Sequence, residues 1–219
     1  MKKKLFILAL LFLATGCSAQ NLSDMSIEDC ADYVISSNID LSNVNNVGYR
    51  YYLPRGFNVV NDVDYNETLL SNGNRYYMYV DIVSYYNNTS PDYTEDSSAY
   101  LSKKINHNNK EGYLEINKQN DKFFIEMMYN YAKIEVLVDE EELKEAVTNI
   151  SYILSSLRYN RTVIRNLIDE DILDFEEKTY EIAKPKEEVE TKNILEYAEE
   201  YDNYKDTNNE LPDTDMIDG

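Results

Sequence analysis

The sequence predicts an α+β fold in which helices cover an antiparallel sheet, arranged as an α/β/α sandwich. Alternating apolar and polar residues recur in short segments between Tyr49 and Val138, which is typical of half-buried strands. An Asn-Gly turn at Asn72 and Gly73 joins two of these segments. A long amphipathic stripe from Leu143 to Leu157 then predicts a helix that covers one face of the sheet. Strands with a helix before, between and after them favour the α+β class.

The first predicted element is a helix over Asp24 to Ser36. Ser26 with Asp29, or alternatively Asp24, is suited to cap its start. A polar connector leads to a strand from Tyr49 to Leu53, which ends at the Pro-Arg-Gly turn. The apolar positions of the helix recur at helical spacing and are Met25, Ile27, Cys30, Ala31, Val34 and Ile35.

The Asn-Gly turn predicts a hairpin between a strand at Glu67–Leu70 and a long strand from Arg75 to Tyr86. Both faces of the long strand carry apolar or aromatic residues. Either both faces are covered, or one of them is a binding surface. The first face carries Tyr76, Met78, Val80 and Ile82, and the second carries Tyr77, Tyr79, Val83 and Tyr85.

A short amphipathic helix is predicted for Asp96 to Ile105, followed by strands at Tyr113–Asn117, Lys122–Tyr129 and Tyr131–Val138. In the last strand, Lys133 and Glu135 are expected to face water. Asp139 is expected to cap the long helix, with acidic residues in its first turn.

The folded domain is predicted to span residues 24–159, which is long enough for a substantial core. Residues 160–184 are predicted to form an acidic amphipathic extension, and residues 185–219 a disordered acidic tail. Within that tail, three apolar side chains are predicted to order on a protein partner. They are Leu195, Tyr197 and Tyr201.

The N-terminus has the three parts of a signal peptide. Lys2, Lys3 and Lys4 precede an apolar run that ends at Ala14, and small residues follow. The run is shorter than the roughly 20 apolar residues that span a bilayer. Residues 14–17, Ala-Thr-Gly-Cys, resemble the lipobox of bacterial lipoproteins.

That resemblance implies a signal peptide over residues 1–16, diacylglycerol on Cys17, and a tether over residues 17–23. The chain departs from the usual pattern because Ala14 stands where leucine is common, with Leu13 one place earlier. The alternative is an ordinary secretory signal in which Cys17 is unmodified. Lipidation implies a protein held on the extracytoplasmic face of the cell membrane.

A second resemblance concerns the fold. The Leu-Pro-Arg-Gly-Phe segment at residues 53–57, the hairpin, the bridging helix, the strand triplet and the closing helix occur in an order that resembles PsbP-like domains. The resemblance covers Gly48 to Tyr159 and implies an α/β/α arrangement, but no function.

The charge of the chain argues against nucleic-acid partners. Its 41 acidic and 21 basic side chains give a formal net charge of -20, which repels phosphate backbones and anionic lipid headgroups. Lipid would therefore have to supply the membrane affinity. With Cys17 lipidated, Cys30 is left without a disulfide partner and is expected to be buried.

No residue is predicted to be catalytic, and no metal or cofactor is expected. The single histidine, His107, lies among asparagines, and the sequence has no Gly-x-Ser-x-Gly, His-Glu-x-x-His or phosphate-binding glycine motif. The 21 tyrosines fit either sheet packing or a tyrosine-lined binding face.

These observations predict a membrane-anchored lipoprotein that acts as a non-enzymatic binding or adaptor module for a protein of the cell envelope. The alternative is a lipoprotein that binds or hydrolyses an envelope ligand in a tyrosine-lined pocket. A pair of carboxylates or a tyrosine pocket in the fold would favour this alternative.

Overall fold

The computed structural model describes residues 22–170 and 176–180. In chain order its elements are α1 (Ile27–Ser36), β1 (Val44–Asn46), β2 (Tyr49–Tyr51), β3 (Asn58–Val63), β4 (Asn66–Ser71), β5 (Asn74–Val80), α2 (Ile82–Asn87), β6 (Leu101–His107), β7 (Lys110–Gln119), β8 (Lys122–Tyr129), β9 (Ala132–Asp139), α3 (Leu143–Ser156), β10 (Arg158–Tyr159) and α4 (Arg161–Glu170). The strands form an antiparallel seven-stranded sheet, in the order β3-β4-β5-β9-β8-β7-β6, and a three-stranded sheet, β1-β2-β10. Helices pack against the sheets, so the predicted α+β class is confirmed.

Helix α1 has Ser26, one of the two predicted caps, at its start, and it begins at Ile27 rather than at the predicted Asp24, after a short 3-10 helix over Leu22–Asp24. The Ser26 side chain accepts a hydrogen bond from the Asp29 backbone N–H at 3.0 Å, which satisfies one of the unpaired donors at the helix start. Its buried residues are Cys30, Ala31, Val34 and Ile35, as the helical spacing predicts. Cys30 is fully buried, and it is a free thiol.

The predicted hairpin and strand triplet are confirmed. Strands β4 and β5 pair across the Asn72-Gly73 turn, and β7, β8 and β9 form a meander. Asn120 and Asn130 adopt left-handed backbone conformations in the two turns of this meander, as asparagine tolerates.

The predicted long strand ends earlier than expected. Residues 82–87 form helix α2, because the Asp81 side chain accepts a hydrogen bond from the Ser84 N–H at 2.8 Å and so caps a helix start. The Asp81 N–H donates to the Tyr131 carbonyl at 2.9 Å. The prediction of a strand through Tyr86 was therefore wrong, since alternation along Ile-Val-Ser-Tyr-Tyr did not reveal the cap.

The predicted helix over Asp96 to Ile105 was also wrong. Residues 101–107 form β6, which pairs along its whole length with β7. Leu101 and Ile105 stand four residues apart, and that spacing places two side chains on one face of a helix or of a strand alike. The pairing partner decided between the two, and sequence periodicity alone did not identify it.

Helices α1 and α3 cover one face of the seven-stranded sheet. Helix α3 packs on β8 and β9, and α1 packs on α3 and β6. Burying each large aliphatic side chain of α3 contributes about 1.5–3 kcal/mol, so this helix is a major source of stability. Its fully buried apolar residues are Val147, Ile150, Ile153 and Leu154, as the predicted stripe requires.

The start of α3 differs from the prediction. A short 3-10 helix over Glu140–Glu142 precedes it, and Asp139 makes no side-chain cap. The carboxylate of Asp139 lies 3.0 Å from the Lys122 ammonium instead, across the β8–β9 pair.

The amphipathic segment after Tyr159 is helix α4, and it packs into the domain. Ile164 is fully buried, and the Asn160 N–H donates to the Gly48 carbonyl at 2.7 Å. The packed structure therefore continues past the expected end of the domain. The proposed signal peptide, Cys17, and the tail residues Leu195, Tyr197 and Tyr201 lie outside the described residues. Among the residues that are described, no helix is both long enough and apolar enough to cross a membrane.

Candidate binding face of the seven-stranded sheet

The face of the seven-stranded sheet opposite α1 and α3 carries a continuous row of polar and aromatic side chains. We name it the outer face. Its central row crosses five strands, because Thr68 pairs with Tyr77, and Tyr77 pairs with Glu135. The row continues through two further glutamates, Glu126 and Glu115, which pair directly in register.

Three glutamates that stand opposite one another on neighbouring strands repel each other. Hydroxyl groups relieve part of this repulsion: Tyr93 donates to Glu115 and Tyr113 donates to Glu126, each at 2.6 Å. The rings of Tyr93 and Tyr113 stack with their centroids 4.0 Å apart. This contact also fixes the segment before β6 against the outer face.

Lys133 supplies the positive charge of the row. Its ammonium lies 2.8 Å from Glu135 and 3.7 Å from Glu126. Burial alone would lower the pKa of Lys133, but its hydrogen bonds to Glu135 and Glu177 raise that pKa overall. Lys133 is therefore charged and fixed in position.

The pKa of the Glu126 carboxyl group is also shifted. Burial raises its pKa, and the hydrogen bond from Tyr113 and the charge of Lys133 oppose that rise, while Glu135 adds to it. Glu126 therefore holds a proton to higher pH than an exposed glutamate.

Lys133 and Glu135 do not face water as the sequence predicted. Their side chains are only 17% and 13% exposed. The cover comes from residues 176–180, a segment far along the chain that alternation within β9 does not reveal. We name Glu176–Tyr180 the strap.

The strap is held by its backbone and by side-chain contacts, among them a long ion pair between Lys178 and Asp64 at 3.9 Å. The amide of Asn66 donates to the Glu176 carbonyl at 3.1 Å and accepts from the Lys178 N–H at 2.9 Å. Glu177 lies 2.6 Å from the Lys133 ammonium. Tyr180 stacks on Tyr77 with ring centroids 4.0 Å apart, which completes a contact along β4, β5 and β9.

The Asn66 side chain is held in the orientation in which it binds the backbone of the strap. It is 1% exposed, and its amide also donates to the Asp64 carbonyl at 2.9 Å, which orients the side chain. A carboxamide that bonds both a carbonyl and an N–H recognises extended main chain whatever side chains that chain carries. Side-chain selection then falls to Lys133 and Tyr77.

A second polar cluster lies on the opposite face of the sheet, around Glu67. This carboxylate is fully buried and accepts hydrogen bonds from Tyr49 at 2.6 Å, Tyr51 at 2.5 Å and Asn46 at 2.9 Å. Burial raises the pKa of Glu67, although the two tyrosine hydroxyls act in the opposite direction. Because all three donors belong to the β1–β2 hairpin, the cluster ties the small sheet to the large one.

The sequence identified few of these residues. Its predicted partner-binding residues lie outside the described part of the chain, and Asn66 carried no signal at all. The alternation of Glu115, Glu126 and Glu135 with buried apolar residues was the available signal for a polar outer face. His107 lies at the end of β6, where its carbonyl accepts the Tyr129 hydroxyl at 3.0 Å. Within residues 22–170 and 176–180, no group of three or more histidine, cysteine or acidic side chains is placed to hold a metal ion.

No protein-family model matches the chain, and no curated protein is detectably similar to it. The geometry of the outer face is therefore the basis for the proposed function.

Proposed function

We propose that the protein is a non-enzymatic binding module, and that its outer face binds an extended segment of a protein partner. The strap is the observation that carries this proposal. Glu176–Tyr180 occupies the outer face as a peptide would, through two main-chain hydrogen bonds, two ion pairs and one aromatic stack. Backbone bonds with selective side-chain contacts are the usual means by which proteins recognise extended peptides.

The contacts define the chemistry of the partner segment. Lys133 selects a carboxylate, and Tyr77 selects an aromatic ring three residues later, as Glu177 and Tyr180 are spaced. The carboxylate contact is a hydrogen-bonded ion pair at a half-buried lysine, where water screens it less than at the surface. We therefore infer that the partner carries an acidic residue followed by an aromatic one in an extended stretch.

A peptide competition experiment tests this proposal. The double variant Glu177→Ala/Tyr180→Ala removes the ion pair with Lys133 and the stack on Tyr77, keeps the long 3.9 Å ion pair between Lys178 and Asp64, and should free the outer face. A labelled peptide with the sequence of residues 173–183 is expected to bind this variant at least tenfold more tightly than it binds the wild-type chain. The physical reason is that the wild-type strap competes at the high effective concentration of an attached segment, on the order of millimolar. Fluorescence anisotropy measures the difference.

Matched tyrosine variants locate the binding site. Adding Tyr77→Ala to the double variant should weaken peptide binding about three- to tenfold, since an aromatic pair contributes about 0.5–1.5 kcal/mol. Adding Tyr33→Ala should leave it unchanged, because Tyr33 is an exposed residue of α1, on the other side of the sheet. Equal binding by the wild type and the double variant, or equal loss with both tyrosine variants, would contradict the proposal.

We also propose that the module is a lipoprotein anchored to the cell membrane through Cys17, on the extracytoplasmic face. The support is the order of basic, apolar and small residues before that cysteine. Two or three acyl chains hold a protein durably, at about 0.8 kcal/mol for each buried methylene. The strongly negative chain adds no electrostatic attraction to anionic lipid.

Metabolic labelling with palmitate tests the anchor in a bacterial host. The wild-type chain is expected to incorporate label and to sediment with membranes, whereas Cys17→Ser should lose all label. Cys30→Ser is the matched control, because Cys30 is buried and free, and it should label like the wild type. Label retained in Cys17→Ser would refute the lipid assignment.

A second candidate function is the binding or hydrolysis of an envelope ligand in a tyrosine-lined pocket. Two observations favour it. Glu126 and Glu135 form a pair of facing carboxylates on the outer face, and Tyr49 and Tyr159 line a cleft of about 640 Å³ elsewhere in the domain. The carboxylate pair is already engaged by Tyr113 and Lys133, which favours the binding module over the hydrolase.

A further inference from the structure

The cleft of about 640 Å³ lies where the β1–β2 hairpin meets β10 and the start of α4. Three of the six arginines of the chain line it, namely Arg50, Arg158 and Arg161. Asn45 and Asn160 add side-chain amides. None of the described residues that line this cleft is acidic, in a chain with 41 acidic side chains.

Two of the arginines stand directly opposite each other. Arg50 of β2 pairs in register with Arg158 of β10, and on its other side it pairs with Asn45 of β1. Like charges on facing positions of neighbouring strands are destabilising. The three-stranded sheet therefore carries a cross-strand row of donors without an acidic residue, at a cost to its own stability.

Two of the guanidinium groups are held in place by backbone. Arg158 donates to the carbonyls of Ser155 at 3.0 Å, Leu157 at 2.9 Å and Ile39 at 2.7 Å. Arg161 donates to the Tyr86 carbonyl at 3.2 Å and lies over the Tyr86 ring, 5.0 Å from its centroid. Carbonyl groups fix these side chains without neutralising them.

The positive charge in this region is weakly compensated. The carboxylate paired with Arg158 is that of Asp40, at 3.7 Å on a side chain that is 80% exposed. The Arg50 side chain is exposed and makes no hydrogen bond or ion pair with another described residue. Burial, and then the charge of Arg158, lower the pKa of Lys110, which is consistent with a local excess of positive charge.

We infer that this cleft binds a small molecule bearing an oxyanion, a carboxylate or a phosphate, between Arg50 and Arg158. The Arg50 guanidinium matches either anion through paired hydrogen bonds, whereas Arg158, whose donors are largely used by carbonyls, contributes mainly its charge. Arg158 and Arg161 are already oriented, and Arg50 supplies side-chain donors that no acceptor in residues 22–170 and 176–180 uses. Asn45, which also lines the cleft, pairs with Arg50 across β1 and β2, whereas the Asn160 side chain accepts the Val163 N–H at 3.2 Å. This site is separate from the outer face and does not depend on peptide binding there.

The inference is tested by adding an anion to the full chain in detergent micelles and monitoring the chemical shifts of its amide groups by NMR. Inorganic phosphate and citrate serve as the two probes, and the one that binds more tightly identifies the preferred anion. Saturable shifts are expected at residues 45–50 and 158–163. Arg50→Gln is expected to weaken binding about tenfold or more, because hydrogen bonds to charged groups are among the strongest in proteins.

Arg55→Gln is the matched control, since it removes the same charge from an exposed turn outside the cleft and should leave binding unchanged. Neither variant should lower the thermal unfolding midpoint, and Arg50→Gln should raise it slightly because it removes the like charge opposite Arg158. The labelled 173–183 peptide should bind the Glu177→Ala/Tyr180→Ala variant equally well with and without Arg50→Gln. That result would show that the cleft and the outer face are separate sites. Absence of saturable shifts with both probes, or equal weakening in the two arginine variants, would overturn the inference.

Discussion

Replacing Gly112 with alanine is expected to lower the free energy of unfolding by about 3 kcal/mol or more. A Cβ at this position would lie 1.9 Å from the Met128 carbonyl oxygen and 2.8 Å from the Cα of Tyr129. These atoms belong to the backbone of β8, so no side-chain rotation relieves the clash. Overpacking usually costs about 1–3 kcal/mol, and a collision with rigid backbone inside a sheet belongs at the top of that range. Urea denaturation measures the loss.

Gly73→Ala is the control for glycine replacement as such. A Cβ at Gly73 meets no atom within 4 Å, but the φ of +81° is one that L-residues disfavour. We expect a loss of about 1–2 kcal/mol from that backbone strain alone. A Gly112→Ala variant no less stable than Gly73→Ala would show that β7 and β8 do not approach so closely.

Glu67→Ala is expected to lower the free energy of unfolding by about 3–5 kcal/mol, because three buried donors lose their acceptor and a cavity is left in their place. The change leaves the hydroxyls of Tyr49 and Tyr51 and the amide of Asn46 without their shared acceptor. A buried donor without a partner costs about 1–3 kcal/mol. Glu67→Gln keeps one acceptor oxygen and a nearly equal volume, so it should be the milder change. A loss under 1 kcal/mol for Glu67→Ala would mean that the cluster does not tie the two sheets together.

The difference in unfolding free energy between the wild type and Glu67→Gln is expected to depend on pH with an unusual sign. Because burial raises the pKa of Glu67 above its ordinary value of 4.5, the folded state binds the proton more tightly than the unfolded state. The stability contributed by protonated Glu67 is thus fully present below pH 4.5. It decreases as the pH rises towards the folded-state pKa.

Measured against Glu67→Gln, which cannot titrate, the wild type is expected to lose stability as the pH is raised from about 4.5. This is opposite to ordinary acid denaturation, in which stability falls as the pH is lowered. Asp62, whose pKa is also raised, is present in both proteins, so its own titration largely cancels in the comparison. A constant difference between pH 4 and pH 8 would contradict the assignment.

Strands β8 and β9 and helix α3 followed from the sequence, because each has one buried face and a clean period. The predictions were wrong at α2 and β6, where the local periodicity of the sequence allowed both helix and strand. At α2 the deciding contact was the Asp81 cap, and at β6 it was the register with β7. Tertiary partners settle such ambiguous segments, and alternation within one segment does not identify them.

The candidate sites were less accessible to sequence reasoning than the fold. Asn66 meets the strap across 110 residues, and Arg50 meets Arg158 through the pairing of β2 with β10. Such contacts depend on how distant strands are ordered in space, which neither composition nor spacing gives. The structure explains part of the high tyrosine content. Four tyrosine hydroxyls donate hydrogen bonds to buried or half-buried glutamates, namely those of Tyr49, Tyr51, Tyr93 and Tyr113.

The position of β2 between β1 and β10 has a consequence for the timing of folding. The small sheet joins the beginning and the end of the domain, and the Tyr52 N–H donates to Ser156 Oγ across 104 residues. Contacts between such distant residues form slowly, because a long loop must close first. The native structure is therefore completed only after nearly the whole domain has emerged from the ribosome. Late closure of the small sheet is compatible with the proposed export, which requires a chain that is still unfolded when it reaches a translocation pore.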